Sequence, residues 1–432
     1  MFALPLRIPC RMTFSGPSQA NSLAIELRAQ GKLAEAAAAL REGIVQFPGV
    51  VVLRQNLAQT LYEAGEVKGA IAEHRAALAI ENSVASHMAL YELLQITGNR
   101  EEALEHQSQA LRVRRLFSYF AANEARSVLC LCAPGDWQTN IPVDFLFDRE
   151  TTTVHRLYLV DERHTISDPV PRYDVVWNII AESPEALQYL ALANHFMQAQ
   201  SRPALNAPSR VIGTARPLLA TTLADTGARV APIAIVDFAA LRAGNIPVEF
   251  PIIARPLGSH AGHGLERLDA STDCYAYAER HPSPQYFVSP FIDYSSADGY
   301  FRKYRFVFVD SVPYPVHLAI SPNWMIHYYN APMGEYQWMR DEEAAFLEDP
   351  RGAFHERRYD VLLNIGTAVG LEYFGIDCAV DPEGNILVFE ADAAMLVHSS
   401  DPEDVYPYKH RFVPRIYRAV EQMIDTRKRA DT

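Results

Sequence analysis

The sequence predicts an α+β protein of several domains, in which an all-helical N-terminal region precedes regions of mixed helix and strand. Three observations support this fold class. Glycines and small residues recur at a near-constant spacing over residues 22–115, which is typical of stacked helical repeats. From Ser127 onward, short apolar segments alternate with helical ones, which indicates α/β organisation. Near the C-terminus, two strand-like segments flank a Pro-Glu-Gly-Asn turn.

Length and composition are those of a globular protein. The chain has 432 residues, of which 49% are hydrophobic and 21% are charged, so it is long enough for two or three domains with their own cores. The formal net charge of −13 argues against a nucleic-acid partner, because phosphate binding needs a basic surface. No apolar run approaches the length of a membrane span. We therefore expect a soluble cytoplasmic protein that contacts no membrane.

A repeated step organises the predicted helical region, residues 22–121, which follows an N-terminal tail of residues 1–21. In this step a leucine is followed four residues later by glycine, at Leu27–Gly31, Leu61–Gly65 and Leu94–Gly98. Small residues then recur at fixed distances after each glycine: Ala36, Ala70 and Ala103, followed by Gly43, Ala77 and Ala110. This spacing resembles tetratricopeptide repeats, with about three copies, which is near the minimum for a stable stack.

The repeats allow two interpretations. They form either a concave surface that grips a peptide or partner protein, or a brace that only packs on the rest of the chain. No repeat carries residues suited to catalysis, and its Glu and Lys residues are typical of solvated helix faces.

The region after the repeats begins with a predicted α/β domain. Its strands are "SVLCLC", "VHRLYLV" and "YDVVWNII", and the helical stretch "SPEALQYLALANHFMQ" follows them. Further on, a strand delivers Arg255 to a loop that contains Gly258, Gly262 and Gly264 with Ser259, His260 and His263. Glycines let backbone amides approach phosphate oxygens, and arginine adds a permanent charge. A mobile connection without function is the alternative.

A basic cluster precedes a second predicted hairpin. The strands "RFVFV" and "PVHLAI" flank Asp310 and Ser311, and Lys303 and Arg305 share one strand face because side chains alternate along a strand. These cations either line a solvated edge or face a polyphosphate across the site from the carboxylates near the C-terminus.

Carboxylates converge on the predicted C-terminal hairpin. If the loop is residues 382–385, Asp381 pairs with Ile386 and Asp377 lies directly across from Glu390. One face is then wholly apolar and consists of Phe374, Ile376, Cys378, Val380, Leu387, Phe389 and Ala391. The opposite face consists of Gly375, Asp377, Ala379, Val388, Glu390 and Asp392. Opposed carboxylates about 5 Å apart need a compensating cation, so this face is either a site for a hard divalent ion or a solvated sheet surface.

In their order along the chain, these segments resemble the ATP-grasp superfamily, the fold of glutathione synthetase, D-alanine ligases and carboxylate–amine ligases that modify peptides. The resemblance covers residues 127 to about 424. It implies an α/β pre-ATP-grasp domain over residues 122–212 and an ATP-grasp domain over residues 213–432. The latter would comprise a central lid subdomain at about 213–292 and a C-terminal subdomain at about 293–432.

The resemblance also implies that ATP and Mg²⁺ bind. The family's metal ligands, an Asp followed by Glu-x-Asn, correspond here to Asp377, Glu390 and Asp392, so an aspartate stands where the family usually has asparagine. Two lysines that hold ATP in the family correspond to Arg216 and Arg255, which leaves the exact placement of the nucleotide open.

Further nucleotide contacts are implied in the lid loop and the hinge. Adenine usually meets the backbone of the hinge, where Pro290 has no N–H to donate, so its neighbours would serve. The corresponding positions are Ser259, His260, Gly262, Ser289, Phe291 and Ile292.

By this resemblance, the chain is expected to be an ADP-forming ligase. ATP would phosphorylate a carboxylate, and an amine would attack the acylphosphate to form a C–N bond. Arg305 and Lys303 would stabilise phosphate charge in this reaction, with Arg305 the stronger match to the family. His317 and His327 lie downstream and are candidates to touch the acyl acceptor, although structural roles are commoner for such histidines.

Partners and rival functions follow from the fused repeats. They suggest that one substrate is a peptide or carrier protein docked on the helical region. The sequence is also compatible with a homodimer. The main alternative is a non-catalytic scaffold that senses nucleotide and binds a partner protein through the repeats. A kinase that stops at a phosphorylated product is a third hypothesis.

Overall fold

The computed structural model describes residues 12–161, 170–259, 262–326 and 330–430. The chain divides into two compact units. The helical unit comprises Met1–Arg115 with Pro134–Trp137, and the mixed unit comprises Leu116–Ala133 with Gln138–Thr432. Within the described ranges, no helix is both long and apolar enough to cross a membrane. Residues 1–11 of the predicted N-terminal tail lie outside these ranges.

The described part of the helical unit is a succession of paired helices. They are α1 (Pro17–Ala29), α2 (Leu33–Gln46), α3 (Val51–Glu63), α4 (Val67–Leu78), α5 (Val84–Ile96) and α6 (Arg100–Val113). Gly31, Gly65 and Gly98 lie in the turns inside the three pairs, with φ angles of 73°, 81° and 80°. Glycine adopts this left-handed conformation without steric cost, which explains why it recurs in the sequence.

The small residues of the repeated step lie where the helices pack. Ala36, Ala70 and Ala103 are fully buried, and a side chain at Gly43 would come within 2.8 Å of the Cβ atom of Ala20. The predicted order of helix, glycine turn and helix is therefore confirmed. Assignment of these helices to the tetratricopeptide family stays a prediction.

Buried polar side chains of α5 and α6 bind residues 134–137, which belong to the same unit. The hydroxyl of Tyr91 donates to the carbonyl of Gly135 at 2.7 Å, and the side-chain oxygen of Gln107 accepts from its N–H at 2.9 Å. Gln95 accepts from the N–H of Trp137 at 2.8 Å. Part of the hydrogen-bonding capacity of this helix pair is thus used by the chain itself.

The described part of the mixed unit contains three sheets and the helices that cover them. Its strands are β1 (Leu116–Tyr119), β2 (Arg126–Cys132), β3 (Thr152–Tyr158), β4 (Val175–Asn178), β5 (Ala204–Leu205), β6 (Arg229–Val230), β7 (Ala234–Asp237), β8 (Ile252–Pro256), β9 (Glu266–Leu268), β10 (Gln285–Pro290), β11 (Phe301–Val309), β12 (Val312–Ser321), β13 (Tyr373–Val380) and β14 (Ile386–Asp392). Its helices are α7 (Leu187–Gln198), α8 (Pro208–Ile212), α9 (Arg216–Thr222), α10 (Phe238–Arg242), α11 (Asp273–Arg280), α12 (Gln337–Glu348), α13 (Pro350–Val369) and α14 (Lys409–Ala430).

The first sheet has the strand order β1-β3-β2-β4-β5 and confirms the predicted α/β pattern. Strands β3, β2, β4 and β5 run parallel, whereas β1 is antiparallel to β3. All seven residues of β2 are buried, as expected for a central strand of a parallel sheet. The predicted helix after β4 is present as α7.

The other two sheets follow in the chain. The second is antiparallel with the order β7-β10-β8-β9, and the third has the order β12-β11-β13-β14-β6. The predicted hairpin of β11 and β12 is confirmed, and its turn residues Asp310 and Ser311 have φ angles of 50° and 65°. Two consecutive positive φ angles are typical of the type I′ turn that suits a tight hairpin.

One buried asparagine ties the first sheet to the third. Asn206 follows β5, is fully buried, and has a φ angle of 56°, a left-handed conformation that asparagine tolerates. Its side chain donates to the carbonyl of Tyr373 at 2.7 Å and accepts from the N–H of Tyr373 at 2.9 Å. Asn178 of β4 donates to the Asn206 carbonyl at 3.1 Å. The start of β13 is therefore fixed by an amide from outside its own sheet.

We expect Asn206→Ala to lower the free energy of unfolding by about 3 kcal/mol. The change leaves two buried backbone groups of Tyr373 without this partner, and each such group costs roughly 1–3 kcal/mol. Urea titration checks this, with the exposed Asn245→Ala as the matched control. Equal midpoints for the two variants would contradict it.

Candidate active site

The carboxylates predicted to converge do lie on one hairpin, formed by β13 and β14. Asp377 is directly opposite Glu390, and Gly375 is opposite Asp392, so the predicted pairing of the acids is confirmed. Alternation along β13 and β14 brings these side chains to one region of the third sheet.

A β-bulge next to Asp377 shifts the pairing of β13 with β14 by one residue on the side closer to the turn. Val380 pairs with Ile386, so the predicted pairing of Asp381 with Ile386 is wrong. The carboxylate of Asp381 instead accepts from the backbone N–H of Asn385 at 2.8 Å and closes the turn. A bulge adds one residue to one strand, and nothing in the alternation of the sequence signals it.

The bulge adds Phe389 to β14, because Asp377 pairs with Glu390 and Cys378 pairs with Val388. It therefore exchanges the faces of the β14 residues between Glu390 and the turn. Val388 packs in the main core, whereas Leu387 and Phe389 pack with Ala379 on the face of Asp377. The predicted face assignments of Val388, Leu387 and Phe389 are therefore wrong. The consequence is an apolar floor directly beside the carboxylates, to which Ile292 also contributes.

Asp377 is held by two cations from the neighbouring strand. Its Oδ1 accepts from Arg305 Nε at 2.7 Å, and its Oδ2 accepts from Arg305 Nη2 and Lys303 Nζ, both at 2.9 Å. The Asp377 side chain is 2% exposed. Burial favours its neutral form, but the charges of Arg305 and Lys303 outweigh burial and hold the pKa of Asp377 well below its usual value.

The predicted common face of Lys303 and Arg305 is confirmed, because both reach the same carboxylate. The sequence pattern placed these cations across the site from the acids. In the structure they contact Asp377 directly. The reason is the register of β11 and β13, which puts Arg305 opposite Asp377.

Glu390 forms a second ion pair, with Arg216 at the start of α9. Each side chain of this pair is 31% exposed. Burial again favours the neutral acid, yet the charge of Arg216 and, more weakly, those of Lys303 and Arg305 lower the pKa of Glu390. The two ion pairs are therefore close enough to interact electrostatically.

Asp392 has a different environment. Its Oδ1 accepts from the N–H of Ala394 at 2.7 Å, which fixes the chain where it leaves β14. Burial, reinforced by the charge of Glu390, raises the pKa of Asp392 to about 6, although the Ala394 hydrogen bond opposes this. Asp392 is thus the acid in the cluster with the least compensation from cations.

Glu182 is a further carboxylate near the cluster, and the sequence pattern did not identify it. It lies in the segment after β4, and burial together with the charge of Asp392 raises its pKa, against the charge of Arg216. Ligand-binding residues often follow the carboxyl ends of parallel strands, and this signal would have found it.

Arg255 lies on β8 and is engaged by the glycine loop. Its Nε donates to Ser259 Oγ at 3.2 Å, and its Nη2 donates to the Ser259 carbonyl. Burial, reinforced by the charge of Arg216, lowers the pKa of Arg255 to about 10. Gly262 of the same loop has a φ angle of 72°. His260 lies outside the described residues.

The hinge candidates lie in the last residues of β10 and directly after it. Ser289 and Pro290 pair with Ile253 and Ile252 of β8, and the N–H of Phe291 donates to the carbonyl of Pro251 at 2.8 Å. The Phe291 ring lies 4.3 Å from the guanidinium carbon of Arg267. Of these positions, Ile292 is the one whose side chain reaches the apolar floor.

The two downstream histidines differ in what the structure describes. His317 lies on β12 opposite Arg305 and is buried. Burial and the neighbouring charge of Arg305 hold its pKa well below the usual value, so it is a neutral group beside the ion pairs. His327 lies outside the described residues.

The three predicted ligands suit a hard divalent cation, since all of them are carboxylates with oxygen donors. Across the described ranges, no group of three or more His, Cys, Asp or Glu side chains is arranged as a ready metal site. The oxygens of Asp377 are engaged in ion pairs, where they accept three hydrogen bonds. A carboxylate offers about four acceptor positions, which leaves roughly one for a metal.

Comparisons with known proteins gave structural likeness only. No family model and no curated protein matches the chain. A D-Ala:D-Ser ligase, VanG from Enterococcus faecalis, aligns with a TM-score of 0.45 at 10% identity, over 70% of this chain and 99% of that one. A D-alanine–D-alanine ligase from Bacillus anthracis aligns with 0.44 at 8%, over 71% and 100%. The ATP-grasp ligase PsnB aligns with 0.41 at 14%, over 70% and 99%. We therefore argue function from the residues of this chain.

We expect Gly375→Ala to displace the segment that follows Asp392. A Cβ atom at Gly375 would lie 2.5 Å from the Met395 Cβ atom and 3.1 Å from the carbonyl oxygen of Phe306, and overpacking of this kind costs about 1–3 kcal/mol. Thermal unfolding checks the loss. Gly334→Ala is the control, because its nearest atom is 3.7 Å away, and equal melting temperatures would show that residue 375 tolerates a side chain.

Proposed function

We propose that the chain is an ATP-dependent carboxylate–amine ligase that uses Mg²⁺ and an acylphosphate intermediate. One observation carries the proposal. The β13–β14 hairpin presents paired carboxylates beside an apolar floor, and both carboxylates of the Asp377–Glu390 pair are bound to cations. Acids for a metal, cations for phosphates and an apolar surface for a base are what a metal–nucleotide complex requires.

The adenine would use the apolar floor. Ile292 and Phe389 are partly exposed and offer hydrocarbon surface to its ring, with Leu387 buried beneath them. Burial of apolar area favours binding by about 25 cal/mol per Å². The N–H of Phe291 is engaged by Pro251, so Ser289, Phe291 and Ile292 would contribute chiefly through carbonyl groups and side chains.

The phosphates would replace the carboxylates as the ion-pair partners of the cations. Lys303 and Arg305 would turn from Asp377 to phosphate oxygens, and Arg216 would turn from Glu390 in the same way. Arg255 would turn to a phosphate oxygen after releasing Ser259 of the lid loop. His260 and Gly262 are the other phosphate contacts proposed in this loop. Arginine suits this exchange because its planar fork binds carboxylate and phosphate with similar geometry.

The released acids would hold Mg²⁺. Asp377, Glu390 and Asp392 supply the oxygen ligands that this ion prefers, and the ion would neutralise charge on the β- and γ-phosphates. The aspartate at 392 adds negative charge to the ligand set, which favours a divalent cation. Arg305 and Lys303 would then stabilise the charge that develops on the transferred phosphoryl group.

The substrates are a carboxylate and an amine, and we propose that one of them is a peptide or carrier protein. A free amino acid would not need an extended docking surface, whereas six helices in series offer one. The last helix pair already binds residues 134–137 through Tyr91, Gln95 and Gln107, so docking would use the earlier helices.

We expect Glu390→Gln to lower ADP formation by about 100-fold or more, since a catalytic metal contributes several kcal/mol. The assay supplies ATP, Mg²⁺ and pools of carboxylates and amines, and it measures ADP together with amide product. Glu383→Gln is the matched control, because Glu383 lies in the turn of the same hairpin with a 67% exposed side chain.

Each rival function has its own outcome in this assay. Equal ADP formation by Glu390→Gln and the unaltered chain would favour the nucleotide-sensing scaffold. A phosphorylated product without amide would favour the kinase. Binding of Mn²⁺, followed by its electron paramagnetic resonance, provides a readout that does not depend on the substrate chosen.

We expect removal of residues 1–115 to raise the KM for a macromolecular substrate while leaving ATP affinity unchanged, because the docking surface is lost and the nucleotide site is not. Steady-state kinetics and nucleotide titration measure the two quantities. Equal turnover of the macromolecular substrate by the shortened chain would contradict docking and favour the brace.

A further inference from the structure

A histidine pair joins the last two helices of the helical unit. His87 of α5 and His106 of α6 place their Nδ1 atoms 2.8 Å apart, with ring centroids separated by 5.0 Å. Both side chains are half-buried. The nitrogen atoms point at one another, so at least one proton or cation must lie between them.

The outer nitrogens of both rings face oxygen atoms. Nε2 of His87 lies 2.8 Å from Oδ1 of Asn82, and Nε2 of His106 lies 3.9 Å from Oε1 of Glu102. Arg75 holds the same Glu102 oxygen at 2.5 Å. Each outer nitrogen is therefore favoured as an N–H donor, since an amide oxygen and a carboxylate only accept.

Two neutral histidines cannot both carry a proton on Nε2 and also share one between their Nδ1 atoms. If His87 carries its proton on Nε2, its Nδ1 is bare and His106 must carry a proton on Nδ1. The Nε2 of His106 is then bare and faces the carboxylate of Glu102, which is electrostatically unfavourable. An ion between the two Nδ1 atoms removes the conflict, because both Nε2 atoms then carry protons.

We propose that His87 and His106 bind a transition-metal ion such as Zn²⁺ through their Nδ1 atoms. Asn82 supplies the outer-shell acceptor expected of a metal-bound histidine, which donates its second N–H to a carbonyl or carboxylate. Glu102 places a negative charge 3.9 Å from the second nitrogen of His106. Imidazole nitrogen prefers ions such as Zn²⁺ over Mg²⁺, so this site differs in chemistry from the carboxylate cluster of the mixed unit.

The pair needs only a small adjustment to accept the ion. Zinc binds histidine nitrogen at about 2.0–2.1 Å in tetrahedral geometry, which places two ligand nitrogens about 3.3 Å apart. The two Nδ1 atoms would separate by about 0.5 Å from their present 2.8 Å, a change that rotation of the half-buried imidazole rings provides. Water would complete the coordination, and the ion would join α5 to α6.

The test is calorimetric titration of Zn²⁺ into the full chain after chelator treatment, with excess Mg²⁺ present to occupy carboxylate sites. We expect one Zn²⁺ equivalent to be lost in His87→Gln and in His106→Gln. His195→Gln should retain it, because His195 is an exposed histidine on α7. Glu102→Gln should weaken zinc affinity about tenfold or more by removing the negative charge near His106.

Melting temperature supplies an independent readout, since an ion that bridges two helices stabilises the folded chain. Zinc should raise the melting temperature of the unaltered chain and of His195→Gln, and it should not raise that of His87→Gln. Circular dichroism checks that each variant is folded. Equal zinc stoichiometry in the unaltered chain and in the variant that combines His87→Gln with His106→Gln would overturn the proposal. Absence of zinc binding at neutral pH would also overturn it and would assign a shared proton to the pair.

Discussion

The candidate site depends on one electrostatic constraint, the burial of Asp377 between β11 and β14. A carboxylate that is 2% exposed needs compensation, and Arg305 and Lys303 provide it from the facing strand. Because the pairing of β11 with β13 fixes where these cations lie, the charge distribution of the site is a property of the sheet rather than of a loop. Removal of one partner would leave a buried charge, so the three side chains stabilise the fold as a unit.

Compensation extends outward from this centre. Glu390 pairs with Arg216, whose charge reaches Arg255, and Arg255 in turn is bound by Ser259 of the glycine loop. Every cation proposed for phosphate is thus already bound to an oxygen of the protein. These contacts hold the cationic side chains in place, which would lower the entropy lost if phosphate oxygens replaced the protein oxygens.

The sequence predicts the site better near its centre than at its edges. Alternation of side chains and a four-residue turn pair Asp377 with Glu390 in the sequence. In the structure the turn is one residue longer, because Val380 rather than Asp381 pairs with Ile386, and the bulge in β14 restores the pairing of the acids. The bulge that moves Leu387 and Phe389 to the acid face is set by how the hairpin packs on its neighbours, and no residue type announces it. Glu182 illustrates a second limit, since only tertiary contact brings the end of a parallel strand to Asp392. Residue type alone suggests that Arg305 and Lys303 would bind phosphate. Their contact with Asp377 in the structure depends on the register between β11 and β13.

The short strand β6 has a consequence for the edge of β14. It pairs only with Leu387 and Val388 of β14, so the border of the third sheet stops one residue before the bulge. Helix α9, which contacts β14, begins with Arg216, and its guanidinium approaches Glu390 beyond the end of this border. A strand two or three residues longer would pair with β14 as far as Glu390. Among the described residues, the brevity of β6 therefore leaves the edge of β14 at Glu390 to the side chain of Arg216 rather than to another strand.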